Sequence, residues 1–511
     1  MKRYGILAGF AFLVLALASI WLGGLNQDEG WYLYAANLVN EGKLPYRDFF
    51  FTQGPLLPIA YSVFCGVWQK FGLIGARIIT SIIGLSALIF TMALARLLTL
   101  GERKGAAALV TFLLLGSNIY HVYYTSIPKT YALGGFFLSV GMYLYAFSLT
   151  RLNDKRRLVL SRVLLFVSGM ALAFAAGTRI TLGAALAVAG VALLIAFKKY
   201  RFAFLAFGLG GALGLAVLYC PFILDPKSLA GLIAAQKYHA ARKGFDVIFV
   251  VGSLSRLVRW YAPIFVLLGM EIFRNIRAKD LELEANSDVK FSLRVMIAVF
   301  LAIFLSQMAA PFPYEDYNVP IMGLLTVVVT VKLLSRATIG AGRIVLLALG
   351  MTWAASFGSP LLEKWTTNGH DRFWTLVKPA SELAQLQEVA YAIESIDPGG
   401  KTIFTQDLYL AIETNRKVPE GLEMGPFSML SSDEWRRLIT TSDAKIAAVS
   451  GYTFAINPPK CDERPLEEQL EFARLLNSRY EMVMKEEDFG QHATTLVLLK
   501  LREDEERGEQ E

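Results

Sequence analysis

Asn26-Gln27-Asp28-Glu29-Gly30 follows directly on an apolar run near residues 5–25, and is itself followed by Gly42-Lys43-Leu44-Pro45-Tyr46-Arg47-Asp48-Phe49-Phe50 and Gln53-Gly54-Pro55-Leu56. A run of this length crosses a hydrocarbon layer of about 30 Å as one helix, at roughly 20 residues per crossing. It decides the fold, because every later span alternates from the side on which Asp28 and Glu29 emerge. Lys2-Arg3 and Ala16-Leu17-Ala18 give it some marks of a signal peptide, but its length favours a retained first span.

Outward from there the chain stays apolar. Of its 511 residues, 55% are hydrophobic and only 18% charged, against roughly 25% charged in a soluble globule. This composition predicts a polytopic membrane protein. Three cysteines without a CxxC pair suggest neither a disulfide framework nor a thiolate metal site. The formal net charge of +7 invites a nucleic-acid reading, but the basic residues fall in short connectors rather than in one patch, so nucleic acid is excluded as partner.

With the N-terminus inside, eleven spans are expected near 5–25, 74–98, 106–124, 131–149, 161–177, 181–197, 202–222, 256–273, 295–310, 319–334 and 344–361. The connectors Arg96 to Lys104, Arg151 to Arg157, Lys198 to Arg201, Arg274 to Arg294 and Lys332 to Arg343 then all lie inside, as the positive-inside rule requires. Asp28, Glu29, Glu41, Asp48, Glu315 and Asp316 fall outside. The 35-residue apolar run 163–197 would be roughly 52 Å long as one helix, so it turns back, at Gly177-Thr178-Arg179. Asn118 and Pro128-Lys129 split 105–150 in the same way.

Residues 26–73 form a long exoplasmic loop, with interfacial helices expected around Tyr32 to Val39 and over 55–71. Beyond 361 the composition turns polar. Lys401–Phe404, Lys445–Val449, Tyr480–Met484 and Thr494–Leu499 read as strands and 379–395, 432–440 and 465–478 as helices, a small α/β domain over 362–502. Residues 503–511 are nearly all charged and read as a disordered tail. The fold class is therefore mainly α, a transmembrane helical bundle (1–361) with an exoplasmic α/β domain.

Asp28-Glu29 is the part most suggestive of chemistry. A carboxylate at headgroup depth, beside aromatics, is partly desolvated and so a better proton acceptor. It can take the proton of a hydroxyl or amine attacking a sugar carbon, while a second carboxylate orients the acceptor or holds a divalent cation. Tyr314, Glu315, Asp316 and Tyr317 form a second polar cluster, which either caps helix ends or contacts phosphate and sugar. Residues 225–247 read as an amphipathic loop that orders on substrate binding. The four histidines, at 121, 239, 370 and 492, show no ligand spacing.

Together these motifs resemble the GT-C superfamily of lipid-carrier-dependent glycosyltransferases, which includes protein O-mannosyltransferases and the aminoarabinose transferases of lipid A. Asp28-Glu29 is similar to that family's acidic motif, and Pro45 to Phe50 with Gln53 to Leu57 to its "PYRDF…KPPL" loop. Phe71-Gly72 with Ala76-Arg77 resembles its entry to span two, and Tyr314 to Pro320 its "YY…P" segment. Thr405-Gln406-Asp407 and Thr414-Asn415-Arg416 resemble the periplasmic domain of bacterial members. The chain departs from the pattern at Gln53-Gly54-Pro55, where many members have lysine before Pro-Pro-Leu. It departs again at Lys129, where many have an acid.

The resemblance implies inverting transfer of a sugar from a polyprenyl-phosphate donor to a glycan, lipid or protein acceptor on the exoplasmic face of a bacterial cytoplasmic (inner) membrane. Asp28 would be the general base and Glu29 its catalytic neighbour. Membrane lipids are partners, and a divalent cation is the one cofactor to consider. Arg47, Lys129, Arg179, Arg242 and Lys243 are the exoplasmic cations available for the leaving phosphate, with Asp48, Tyr314 and Tyr317 as further substrate contacts. The alternatives are a transporter or flippase for a lipid-linked or small substrate, and a noncatalytic scaffold that binds polysaccharide. Transporters usually show internal duplication and charges at the bilayer midplane, neither of which is evident here.

Overall fold

A computed structural model describes residues 2–152, 154–200, 202–241, 246–277, 287–336, 340–370, 375–458 and 462–502. Helix α1 (Lys2–Trp21) leads through a short turn into α2 (Gln27–Asn40), and an irregular stretch leads on to α3 (Leu56–Ser62) and α4 (Cys65–Leu98). Then come α5 (Lys104–Gly116), α6 (Ile119–Tyr124), α7 (Thr130–Leu149), α8 (Leu158–Thr178), α9 (Gly183–Ile195), α10 (Phe197–Tyr200) and α11 (Ala203–Ile223). The bundle finishes with α12 (Pro226–Ala240), α13 (Val247–Trp260), α14 (Ala262–Arg277), α15 (Ser287–Met308), α16 (Val319–Arg336), α17 (Ala341–Phe357) and α18 (Pro360–Thr366).

Seven of these, α1, α4, α7, α8, α11, α15 and α16, are long and apolar enough to cross a membrane, and the chain is a multi-pass membrane protein. Two bent pairs, α13 with α14 at 90° and α17 with α18 at 44°, raise the number to nine if each is one span. Among the described residues the expected eleven is therefore not confirmed. Residues 106–124 form two helices because the Asn118 side chain accepts the His121 backbone N–H and restarts the helix. Residues 181–197 form only a single turn and the short α9. Such breaks persist at membrane depth only where protein surrounds them, and Ile119, Tyr120, Val122 and Tyr123 are indeed buried.

Residues 55–71 divide into α3 and the start of α4, which kinks at Gly72 (φ 58°), a left-handed conformation that glycine adopts without a Cβ clash. At the kink the Leu73 N–H donates to Glu413 Oε2 at 2.7 Å. Helix α2 differs from the interfacial helix expected around Tyr32 to Val39. It is buried on nearly every face, from Trp31 through Leu38, because the C-terminal part of the chain covers the side that would otherwise meet water. Gly30 allows this contact, since a Cβ there would lie 2.1 Å from the Tyr409 backbone nitrogen.

The C-terminal part is the small α/β unit expected. After a hairpin of β1 (Thr367–His370) and β2 (Thr375–Val377) come α19 (Glu382–Ile396), β3 (Phe404–Thr405), α20 (Leu408–Glu413), α21 (Ser432–Thr441) and β4 (Ile446–Ser450). They are followed by β5 (Ile456–Asn457), β6 (Asp462–Glu463), α22 (Leu466–Arg479), β7 (Tyr480–Phe489) and β8 (Thr494–Leu501). The main sheet runs β3-β4-β8-β7, with β3 parallel to β4 and the other pairs antiparallel. Its core, around Ile446, Trp435, Phe472 and Leu498, is continuous with α2 and the loop after it, which fixes the unit against the helical bundle.

Candidate functional site

The site begins with a helix cap. Asn26 accepts the Asp28 N–H at 3.1 Å and Glu29 Oε1 accepts the Asn26 N–H at 3.1 Å, so Asn-x-x-Glu acts as a capping box and starts α2 at Gln27. Successive residues then diverge around the helix. Asp28 faces a cavity of about 420 Å³, whereas Glu29 turns into the protein and is fully buried. There Arg77 Nε and Nη2 each donate to the Glu29 carboxylate at 2.8 Å. The remaining Arg77 N–H groups donate to the Ile20, Gly23 and Gly24 carbonyls at 2.9–3.0 Å, which uses all five guanidinium donors.

A second wall comes from the start of α7. Lys129 Nζ lies 2.9 Å from Asp28 Oδ2 and 3.1 Å from Asp316 Oδ2, and Tyr131 donates its hydroxyl to the same Asp316 oxygen at 2.9 Å. The ammonium also sits 5.6 Å from the Tyr124 ring centre and 5.1 Å from that of Tyr131. Burial alone would lower the Lys129 pKa, but Asp28, Tyr131 and Asp316 outweigh it and hold it well above the usual lysine value.

Arg179 supplies the third wall from the turn after α8, its guanidinium 3.7 Å from the Tyr317 ring centre. Gly54 brings the Thr52-Gln53 segment up to this turn, because a Cβ there would meet the Gly177 carbonyl at 2.2 Å. Tyr46 holds the same segment from below by donating its hydroxyl to the Gln53 carbonyl. The roof is the C-terminal unit. Gln491 accepts the Gln27 N–H at 2.7 Å, Gln27 Nε2 donates to Asp407 Oδ1 at 2.7 Å, and His492 stacks on Tyr452 at 4.2 Å over the cavity. Burial raises the Asp407 carboxyl above its ordinary range and lowers the His492 imidazole.

Of the residues singled out from the sequence, Asp28, Lys129, Arg179, Tyr314 and Tyr317 line this one cavity. Tyr314 is half exposed at its rim, against Phe249 and Phe312. Glu29 does not reach it. Arg47 and Asp48 lie away from it and pair with each other at 2.8 Å near the surface, where Arg47 and the Leu44 N–H hold the Asp48 carboxyl at about 2. Arg242 and Lys243 lie outside the described residues. Asp316, read only as one acid of a polar cluster, proves the second partner of Lys129. Gln491 and His492 sit in the turn between β7 and β8; nothing in the sequence marked Gln491, and His492 stood out only as a histidine without ligand spacing.

A divalent cation does not fit this donor set. The place between the two cavity carboxylates is filled by an ammonium group, and no group of three His, Cys, Asp or Glu side chains suited to a metal ion occurs among the described residues.

No protein-family model matches the sequence, and no curated protein matches it. The fold does match solved structures. ArnT from Cupriavidus metallidurans bound to undecaprenyl phosphate aligns with a TM-score of 0.65 over 98% of both chains at 13% identity, and its apo state aligns equally well at 14%. The oligosaccharyltransferase of Archaeoglobus fulgidus, tethered with an acceptor peptide containing the NVT sequon, gives 0.50 over 96% of this chain and 74% of its own at 11% identity. At such identities the likeness is one of fold, shared with ArnT and the oligosaccharyltransferase.

Proposed function

We propose that the chain is an integral-membrane glycosyltransferase that moves a sugar from a polyprenyl-phosphate donor to an acceptor on the exoplasmic face, with inversion and with Asp28 as general base. One observation carries this reading: a carboxylate and two cations, Lys129 and Arg179, share one cavity between the helical bundle and the C-terminal unit. The likeness to ArnT bound to undecaprenyl phosphate supports the donor class.

Asp28 Oδ accepts the proton of the acceptor hydroxyl or amine as that atom bonds to the sugar's anomeric carbon. The bond from that carbon to the phosphate oxygen breaks on the opposite side, which inverts the centre, and the electron pair leaves on the phosphate. Lys129 and Arg179 stabilise the departing anion in a site that the C-terminal unit walls on one side. Glu29 acts as a positioning residue, locking the first turn of α2 through Arg77. The donor's prenyl chain stays in lipid beside the bundle. The localisation proposed is the bacterial inner membrane, with the N-terminus inside.

The test is Asp28→Asn in membranes supplied with a radiolabelled polyprenyl-phosphate sugar. Loss of a general base costs about 10²–10⁴-fold in rate, so transfer falls by that much while expression stays normal. Transfer at the wild-type rate would reject the assignment.

A further inference from the structure

We infer that Lys129 is a tethered cation: it fills the place between Asp28 and Asp316 that a divalent metal ion would otherwise take, so the cavity binds a phosphate without metal. The inference rests on the lipid-phosphate reading for the identity of the anion, but its cation half can be tested separately.

The geometry is that of a bridging ion. One ammonium lies 2.9 Å from a carboxylate on α2 and 3.1 Å from a carboxylate just before α16, two elements far apart in the chain. The Lys129 side chain is 7% exposed, fixed by the rings of Tyr124 and Tyr131 and by the extended backbone at the start of α7. With Arg179 beside it, the two cations balance the two carboxylates. A divalent ion would add charge to a neutral set and would have to displace the ammonium from both carboxylates. An ammonium has three N–H donors. Two go to the carboxylates, which leaves the third for a phosphate oxygen. As that oxygen binds, it shares the ammonium's charge with Asp28 and so releases the carboxylate to act as base.

Asp316 Oδ1 supplies the converse. It is buried and has no hydrogen-bond partner among the described residues. Without the ammonium, this oxygen and Asp28 become two bare anionic ligands on one cavity wall, an oxygen site that hard divalent ions accept. Glu315, the neighbouring acid, is held by Arg256 at 3.0 Å.

The experiment uses the full chain purified in detergent, with Mn²⁺ followed by electron paramagnetic resonance and undecaprenyl phosphate as the lipid probe. The wild type is expected to take up no Mn²⁺ and to bind undecaprenyl phosphate equally with or without EDTA. Lys129→Ala is expected to take up one Mn²⁺, to lose that uptake when Asp316→Asn is added, and to bind undecaprenyl phosphate about tenfold or more weakly, as befits loss of a charged hydrogen bond. Added Mn²⁺ restores part of that affinity. Lys129→Arg, which keeps the charge, retains binding without metal and shows that a cation rather than lysine's packing is needed. Stoichiometric Mn²⁺ on the wild type, with EDTA-sensitive lipid binding, overturns the inference. So does a folded Lys129→Ala that takes up no Mn²⁺ or binds the lipid as the wild type does. Should no form bind undecaprenyl phosphate, the donor reading falls, while the Mn²⁺ titrations still decide the role of Lys129.

Discussion

Asp28 and Glu29 are chemically almost the same and adjacent, yet a rotation of about 100° around α2 gives them different fates. One faces the cavity; the other closes a fully buried ion pair with Arg77. Removing one partner of such a pair leaves an uncompensated buried charge, at a cost of about 3–5 kcal/mol. Glu29→Gln is therefore expected to lower the thermal unfolding temperature of the detergent-solubilised protein markedly, and Asp28→Asn to leave it nearly unchanged. Asp407 adds a pH dependence. Its carboxyl is raised by burial, so between the ordinary carboxylate pKa and the raised one the folded chain holds more proton than the unfolded chain. Its contribution to stability is present at low pH and is lost as pH rises through that window, and Asp407→Asn should flatten the slope seen by scanning calorimetry. The sequence marked the acidic pair and Lys129 as notable. The resemblance named Asp28 as base with Glu29 as its catalytic neighbour, but that Glu29 is turned away from the cavity was not legible, because it depends on Arg77, whose approach is a matter of helix packing.

Helix α2 owes its position to a missing side chain. A methyl group at Gly30 would collide with the Tyr409 backbone at the start of α20, so Gly30→Ala must push the C-terminal unit away from α2. The expected result is faster tryptic cleavage within residues 362–502, with the membrane helices still protected; an unchanged digestion pattern would show that the contact is dispensable. Long apolar helices were legible because length and hydropathy suffice to find them. Asn118 marks a split in the sequence, yet 106–124 still reads as one span, and nothing there marks the break between α13 and α14, since a cap and the surrounding protein decide whether a run continues. Helix α20 escaped for another reason: its six residues, Leu408–Glu413, are almost uniformly apolar and show no period.

The contacts from Gln27 to Asp407 and Gln491 place α2 and the C-terminal unit on one side of the bundle. Reporter fusions at Gly42 and after Leu501 should therefore report the same compartment, and fusions in the connectors Arg96–Lys104 and Arg151–Arg157 the opposite one. Fusions at Gly42 and Leu501 that disagree would refute the arrangement. Composition made the α/β nature of the C-terminal part visible, since β4, α21, α22 and β8 each carry a clear local pattern. Its role as a wall of the cavity was invisible, because no local pattern records which surface a domain turns toward its neighbour.

The bond from Gln27 to Gln491 joins residues 464 positions apart. Ribosomes add roughly 5–20 residues per second, so α2 emerges roughly half a minute to a minute and a half before the segment that covers it. Through that interval a helix that the folded chain buries on nearly every face has no lid. A growing chain of this kind depends on the lipid surface or a chaperone to shelter α2 until translation ends, and slowing synthesis late in the message should raise the fraction that is degraded.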